Sequence, residues 1–372
     1  MNLRVGQVRG SPEILLVASA GWPTGSGTPD GAVLALTLDA DGHIGPVEAA
    51  VPAVGCSYFN AGPNGGRVYA SCRWPQDPNA VDVERTHPGE VVGIEVGPGA
   101  LLTVVNRQPT AGRSPCHLSV DANGCHLLVA DYQDGLIDVH PLDESGAIGE
   151  TCAVVPRSGC GPDSDRQQSS HVHMVHEHTQ GGWILATDLG TDEVAAYAMD
   201  HRTGSLSPVT PTARVVPGSG PRHYVALRPD MLLVATELRA GVTVVKVDPR
   251  SGGMHAGAVF STSRNDNAAP SAIALAPDRR HLYVGNRGAD TIGVLRIGDG
   301  RLMLIDEIPC AGQPRDFGFV GNHLYVANQE SDTLAVLPYD ARSGRLGAPS
   351  QVLELPAPSR VLSYRREKDL VE

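Results

Sequence analysis

Short apolar runs recur along the chain, each closed by small or polar residues and a turn. The clearest copy is Ser114–Asp121, then Leu127–Tyr132, then Leu136–Asp143. Related copies begin at Ser169, Gly220, Ala269 and Gln313. Their second runs are Ile184–Leu189, Leu232–Glu237, Leu282–Arg287 and Leu324–Gln329. A more divergent copy extends from Gly55 through Val68–Cys72. Runs this short, rich in Val, Leu and Ile and bounded by Gly, Pro and Asp, predict strands rather than helices. Self-similarity at a steady period predicts a repeat architecture.

The seventh copy is split. Leu15–Ser19 is a second strand with no first strand before it, and Pro358–Tyr364 is a first strand with nothing after it. Pairing the two would close a ring and remove the unpaired edges that an open sheet exposes. Seven copies in 372 residues leave about 53 residues each, room for four strands of five to six residues with turns. Solenoids, the competing reading, have shorter or helical repeats and end in caps rather than in complementary halves. The expected fold is therefore all-β: a seven-bladed β-propeller of four-stranded antiparallel blades, closed by its N- and C-terminal strands. Residues 1–372 are expected to form a single domain, with Trp74–Thr86 and Gly159–Ser170 as long surface loops.

Composition narrows the function. Aromatic residues make up 4% and glycines number 43, consistent with short strands and tight turns. A net charge of −12 argues against general nucleic-acid binding, which relies on clustered Lys and Arg. Within Met1–Ala20 the apolar run Ile14–Ala18 is too short for a spanning helix or a signal-peptide core, so no membrane association is expected. The seven cysteines (Cys56, Cys72, Cys116, Cys125, Cys152, Cys160 and Cys310) are odd in number and irregularly spaced. They read as reduced thiols of a cytoplasmic protein.

An antiparallel meander sends the first strand of each blade away from one face and returns the second to it. Strand-one starts and strand-two ends must then meet at one mouth of the channel. The first set offers His117, His171, His173, Arg222, His223, Arg315, Asp316 and Arg360. The second offers Asp131, Tyr132, Asp188, Glu237, Asn286, Arg287, Asn328 and Gln329. Guanidinium, imidazole and carboxylate groups on one face suit an anionic or carbonyl-containing small molecule. These charges could instead only pair with each other, Asp131, Asp188 and Asp316 included. Against that, Arg222, Arg287 and Arg315 outnumber Glu237, and an unpaired buried charge costs several kcal/mol.

The same residues define the chemistry. Glu237 or His173 could activate water, while Arg222 and Arg287 suit a lactone oxygen, a carboxylate or a phosphate. His117, Tyr132, His171, His223, Arg315, Asn328 and Gln329 complete the expected substrate-binding set. The run His171, His173, His176 and His178 invites a metal, but His176 and His178 fall where a turn is expected, and neither metal nor cofactor is expected. No nucleophile elbow, Walker loop or dinucleotide fingerprint is present, and the glycine-rich stretch Thr24–Thr28 lacks a following helix.

The segments Gly220–His223, Thr236–Leu238, Asn286–Gly288, Gln313–Phe317 and Ala327–Gln329, with Pro115–Ser119 and Asp131-Tyr132, resemble the lactonase family of seven-bladed propellers. That family includes propeller-type 6-phosphogluconolactonases and carboxy-cis,cis-muconate cyclases. In its cyclase branch a histidine, two arginines and a glutamate are implicated, which fall here on His173 (or His171), Arg222, Glu237 and Arg287. The chain departs at Thr236, at Asp131 and at Ser71–Trp74 with the insertion that follows. The resemblance implies a lactonase acting on a small anionic or sugar lactone such as 6-phosphogluconolactone. The alternatives are a cycloisomerase or specialised biosynthetic enzyme using the same pocket, and a non-catalytic binding or scaffold propeller.

Overall fold

Strands that are covered on both faces need no alternation, and the second and third strands of each blade show this directly. Leu127–Ala130 and Leu232–Ala235, for example, are buried at every position. The fourth strands alternate instead, as Ile44–Pro52 does, because one face meets solvent. The computed structural model describes residues 13–21, 31–63, 65–73, 87–178, 181–298 and 301–364. The stretch Thr24–Thr28 and the expected loop Trp74–Thr86 lie outside these residues, as does most of Met1–Ala20.

The strands form seven antiparallel sheets, six of four strands and one whose outer edge is split into two pieces, Arg345–Leu346 and Gln351–Glu354. Blade 1 is the split copy: Pro358–Tyr364 pairs antiparallel with Ile14–Ser19, in the register Leu16↔Leu362, followed by Ala32–Leu38 and Ile44–Pro52. Blades 2 to 7 then follow in chain order from Cys56, Pro115, Val172, Pro221, Ala269 and Pro314. Their first strands touch one another around a complete ring. The apolar core is divided accordingly into seven clusters, one at each junction between blades. Among the described residues no helix is long and apolar enough to cross a membrane.

Each first strand carries one extra residue close to its start, a bulge in register against the second strand. Aligning the blades on it places Ser57, Cys116, His173, Arg222, Ser271, Arg315 and Ser359 in one ring. A bulge re-aims its side chain out of the regular pleat. Where that side chain is small, it ties its blade to the next. Ser57 donates to the Pro115 carbonyl (2.7 Å), Cys116 to Val172 (3.5 Å), Ser271 to Pro314 (2.5 Å) and Ser359 to Cys56 (3.1 Å).

His176 lies inside the strand Val172–Glu177, not in the turn expected for it. His178 follows that strand, with its Nε2 2.7 Å from the Pro229 carbonyl oxygen.

Ring closure rests on the C-terminal strand. A chain ending at Ala357 would leave Ile14–Ser19 as an exposed edge and open two junction cores, those holding Val361 and Tyr364. We expect it to lose the cooperative thermal transition followed by circular dichroism; an unchanged transition would contradict closure by this strand.

Candidate active site

The three bulge positions that do not carry a small residue are His173, Arg222 and Arg315, in blades 4, 5 and 7. Facing them are the residues that leave the second strands: Arg73, Tyr132, Leu189, Glu237, Arg287 and Gln329. All but Arg287 make the same contact, a backbone N–H given to the carbonyl just before the neighbouring first strand's opening residue, as in Glu237 to Gly220 (2.9 Å) and Tyr132 to Ser114 (3.0 Å). These two rings form the mouth of the channel.

Glu237 stands at its centre, buried in a single 3₁₀ turn, Glu237–Arg239. One carboxylate oxygen, Oε2, lies 2.7 Å from Arg287 Nη2 and 3.0 Å from Arg222 Nε; the latter contact is an ion pair without hydrogen-bond alignment. The other oxygen accepts from Arg166 Nη2 at 2.6 Å. Arg166 comes from the loop Gly159–Ser170, which does lie at the surface but also reaches the site. The loop is pinned on both sides of it. Asp163 accepts from the backbone N–H of Asp165 and Arg166, and the buried Gln167 donates to Leu189 O at 2.8 Å. Arg166 also reaches the Tyr132 hydroxyl (3.4 Å), and Tyr132 stacks on His171 with ring centroids 4.4 Å apart.

His173 packs beside this cluster, edge-on to Tyr132 and to His223, with Nδ1 4.0 Å from Cys116 Sγ. One residue further along the first strands lies a second layer. There His117 stacks on Tyr58 (4.2 Å) and meets His223 edge-on, while Arg360 covers the other side of Tyr58 and binds Asp316 (2.9 Å). His117 and His223 thus form the floor beneath the mouth.

Asn328 is not part of the mouth. It sits one register position too early, opposite Pro314, and its amide donates to Thr333 of its own blade. Asn286, Asp131 and Asp188 occupy the equivalent position and likewise tie turns together: Asp188 takes the His171, Gly190 and Thr191 N–H groups. Gln329 follows Asn328 and does hold the mouth register, half-buried. Two mouth residues were missing from the expected set, Arg73 and Arg166. Arg73 is signalled by its place after the second strand of blade 2; Arg166 had no signal in the repeat, because it comes from a loop.

The charges are unequal. Among the described residues neither Arg315 nor Arg73 has a carboxylate partner. Burial, then repulsion from Arg222, Arg287 and Arg73, pulls the Arg315 pKa down to about 9. Burial and Arg287 bring Arg222 to about 10, even with Glu237 beside it. Burial would raise the Glu237 pKa, but Arg287, Arg222, His173 and Arg166 hold it well below the usual carboxylate range. Burial pushes His173 well below ordinary histidine values, and Arg222 pushes the same way. His117 and His223 are lowered chiefly by burial too. At neutral pH the site therefore holds an ionised Glu237, neutral imidazoles at His117, His173 and His223, and an excess of guanidinium. Buried nitrogens of Arg73, His117, His171, Arg222, His223 and Arg287 lack hydrogen-bond partners, so polar capacity is concentrated at this mouth.

The profile of the family described as lactonase, 7-bladed β-propeller, matches residues 22–363. The chain belongs to that family. This lactonase-family propeller is 33% identical over 226 residues to a 6-phosphogluconolactonase of Bacillus subtilis, a match spanning 59% of this chain and 63% of that protein, under two thirds of its length. A 6-phosphogluconolactonase of Formosa agariphila is 26% identical over 275 residues, covering 71% of this chain and 75% of the relative. Among solved structures, the periplasmic gluconolactonase of Pseudomonas aeruginosa superposes with a TM-score of 0.85 at 24% identity, covering 96% of this chain and all of that one.

The depressed imidazoles make the lactonase-family fold acid-sensitive. Unfolded histidines bind protons below about pH 6.5, whereas His117, His173 and His223 in the fold do not, so stability is complete above that pH and falls below it. Each contributes a slope of about 1.4 kcal/mol per pH unit. Asp131, raised to about 6 mainly by burial, offsets one such proton below that value. Glu237 adds a further loss below its ordinary pKa of 4.5. Urea unfolding should give a nearly flat profile above about pH 7 and approach this slope as the pH falls below about 6.5, and His117→Asn should make that fall shallower; a profile flat down to about pH 5.5 would contradict charge-free imidazoles.

Proposed function

We propose that the chain hydrolyses a small anionic sugar lactone, with 6-phosphogluconolactone as the best candidate. The observation that carries this reading is the neutral His173 beside a cluster of five arginines, three of which share one buried glutamate while Arg315 and Arg73 have no carboxylate partner among the described residues. In water a carboxylate held so far below its normal pKa is a poor proton acceptor. His173 is therefore the base and Glu237 its electrostatic partner. His173 takes a proton as water oxygen attacks the lactone carbonyl carbon. Arg222 and Arg287 hold the oxyanion that forms. The ring C–O bond then breaks, and the imidazolium returns the proton to the departing alkoxide, leaving the open hydroxy acid. Arg315 and Arg73 take the substrate's anionic group, since guanidinium forks match phosphate and carboxylate.

The relatives named for lactone hydrolysis support this reading over a cycloisomerase or a scaffold. We further propose that residues 1–372 act as one propeller domain whose partner is the small-molecule substrate, without nucleic acid or membrane. Seven free cysteines support a cytoplasmic location; the Pseudomonas neighbour is periplasmic, and cell fractionation distinguishes the two.

A pH-stat assay on 6-phosphogluconolactone and on unphosphorylated gluconolactone tests the activity. Turnover no faster than spontaneous opening on both would overturn it. His173→Gln should lower kcat by about 10²–10⁴-fold, while Arg315→Ala should raise KM for the phosphorylated lactone and leave gluconolactone unaffected. Glu237→Gln is expected to cost about 3–5 kcal/mol in urea unfolding, because it strands Arg222 in the interior.

A further inference from the structure

On the face opposite the mouth, two imidazoles from different blades converge on one carboxylate. Asp121 follows the first strand of blade 3 and is fully buried. Its Oδ1 accepts the backbone N–H groups of Cys125 and His126, at 2.7 and 2.9 Å, which fixes its plane. That leaves Oδ2 for side chains. His126 Nδ1 lies 3.4 Å from it, and His201 Nδ1, from the turn between the third and fourth strands of blade 4, lies 3.1 Å away. The three donor atoms all fall within 4.8 Å of one another.

We propose that Asp121, His126 and His201 form a structural site for a first-row divalent cation, Zn²⁺ above all, that ties blade 3 to blade 4. Ligands about 2.0–2.1 Å from a tetrahedral zinc ion lie roughly 3.3 Å from one another, and the Oδ2–Nδ1 separations of 3.1 and 3.4 Å match that spacing. Two imidazoles and one carboxylate are a donor set that zinc accepts, with water in the fourth position. His126 is buried, whereas the His201 side chain is 36% exposed and gives the ion a path from solvent. Both rings offer Nδ1 to the ion, so both carry their proton on Nε2 when it is bound.

The repeat supplies an internal control. In blade 6 a His–Asp contact also occurs at this turn, His281 with Asp278 at 2.7 Å, but blade 6 has Ala276 in the register of Asp121, and the turn of blade 7 that packs there has Ala341 where blade 4 has His201. The corresponding turns of blades 5 and 1 carry Pro249 and Ala40. Among the described residues, a buried carboxylate shared by two imidazoles therefore appears at this one junction.

The test uses the full-length protein, stripped with chelator and then given Zn²⁺ or Co²⁺. Zn²⁺ should raise the melting midpoint by several degrees, and Co²⁺ should bind at one ion per chain with visible d–d absorption and without a thiolate charge-transfer band. Both effects should disappear in His201→Ala and in His201→Gln, substitutions on an exposed turn. Absence of both effects in the wild type would overturn the proposal. So would their persistence in the His201 variants, which would assign the metal to other groups.

Discussion

A ring of seven sheets must hold seven junctions together at its narrowest point, where first strands from neighbouring blades meet. The bulge near the start of each first strand answers that constraint by turning one side chain sideways, toward the neighbouring blade's backbone. Four of the seven positions use Ser or Cys to bond the next blade. At the other three the tie is made differently. Thr187 of blade 4 donates to the Arg222 carbonyl, Arg222 Nη1 donates to Ser271 O (2.6 Å), and Asp316 Oδ2 accepts from Arg360 and Val361. Moving the structural bond onto other groups frees His173 and Arg315 to face the channel. Arg222 serves both purposes, which is consistent with its near-complete burial.

The electrostatics follow from the same geometry. Because the bulge ring and the strand-two exits face each other across a narrow mouth, guanidinium groups from several blades are forced close together. Burial lowers the pKa values of Arg222 and Arg315, and repulsion from neighbouring arginines lowers them further. Glu237 offsets part of it, with three arginines on its two oxygens. A protein with net charge −12 thus keeps a concentrated positive field in one place. Low-dielectric walls strengthen such a field and draw in anions.

The repeat was legible because apolar runs and turn residues report strand length and closure without knowledge of contacts, and the split seventh copy could be read from its two halves. The site was legible to within one residue. A bulge shifts register by one position and has no signature in composition, so Asn328 could not be told from Gln329, nor the floor histidines His117 and His223 from the mouth histidine His173. Arg73 lay in a stretch whose divergence masked its register. Arg166 was invisible for a different reason: its position is set by Asp163 and Gln167 gripping a loop, and nothing in the repeat predicts that grip. The alternation of turn and strand also failed at His176, where blade 4's first strand runs on to Glu177.

Glu237 and His173 were interchangeable as bases when only their identities were known. The proposed mechanism separates them by their surroundings. The arginines that make Glu237 essential to the packing also remove its basicity, since each stabilises the ionised form. Burial, with Arg222 beside it, does the opposite for His173: it opposes a positive charge there and keeps a lone pair available. Protonation of His173 becomes favourable only as negative charge develops beside it, with Glu237 already in place to stabilise the imidazolium. In the mechanism proposed above, the environments of the two groups pull their protonation apart, and that separation is what assigns the base role to His173 and the electrostatic role to Glu237.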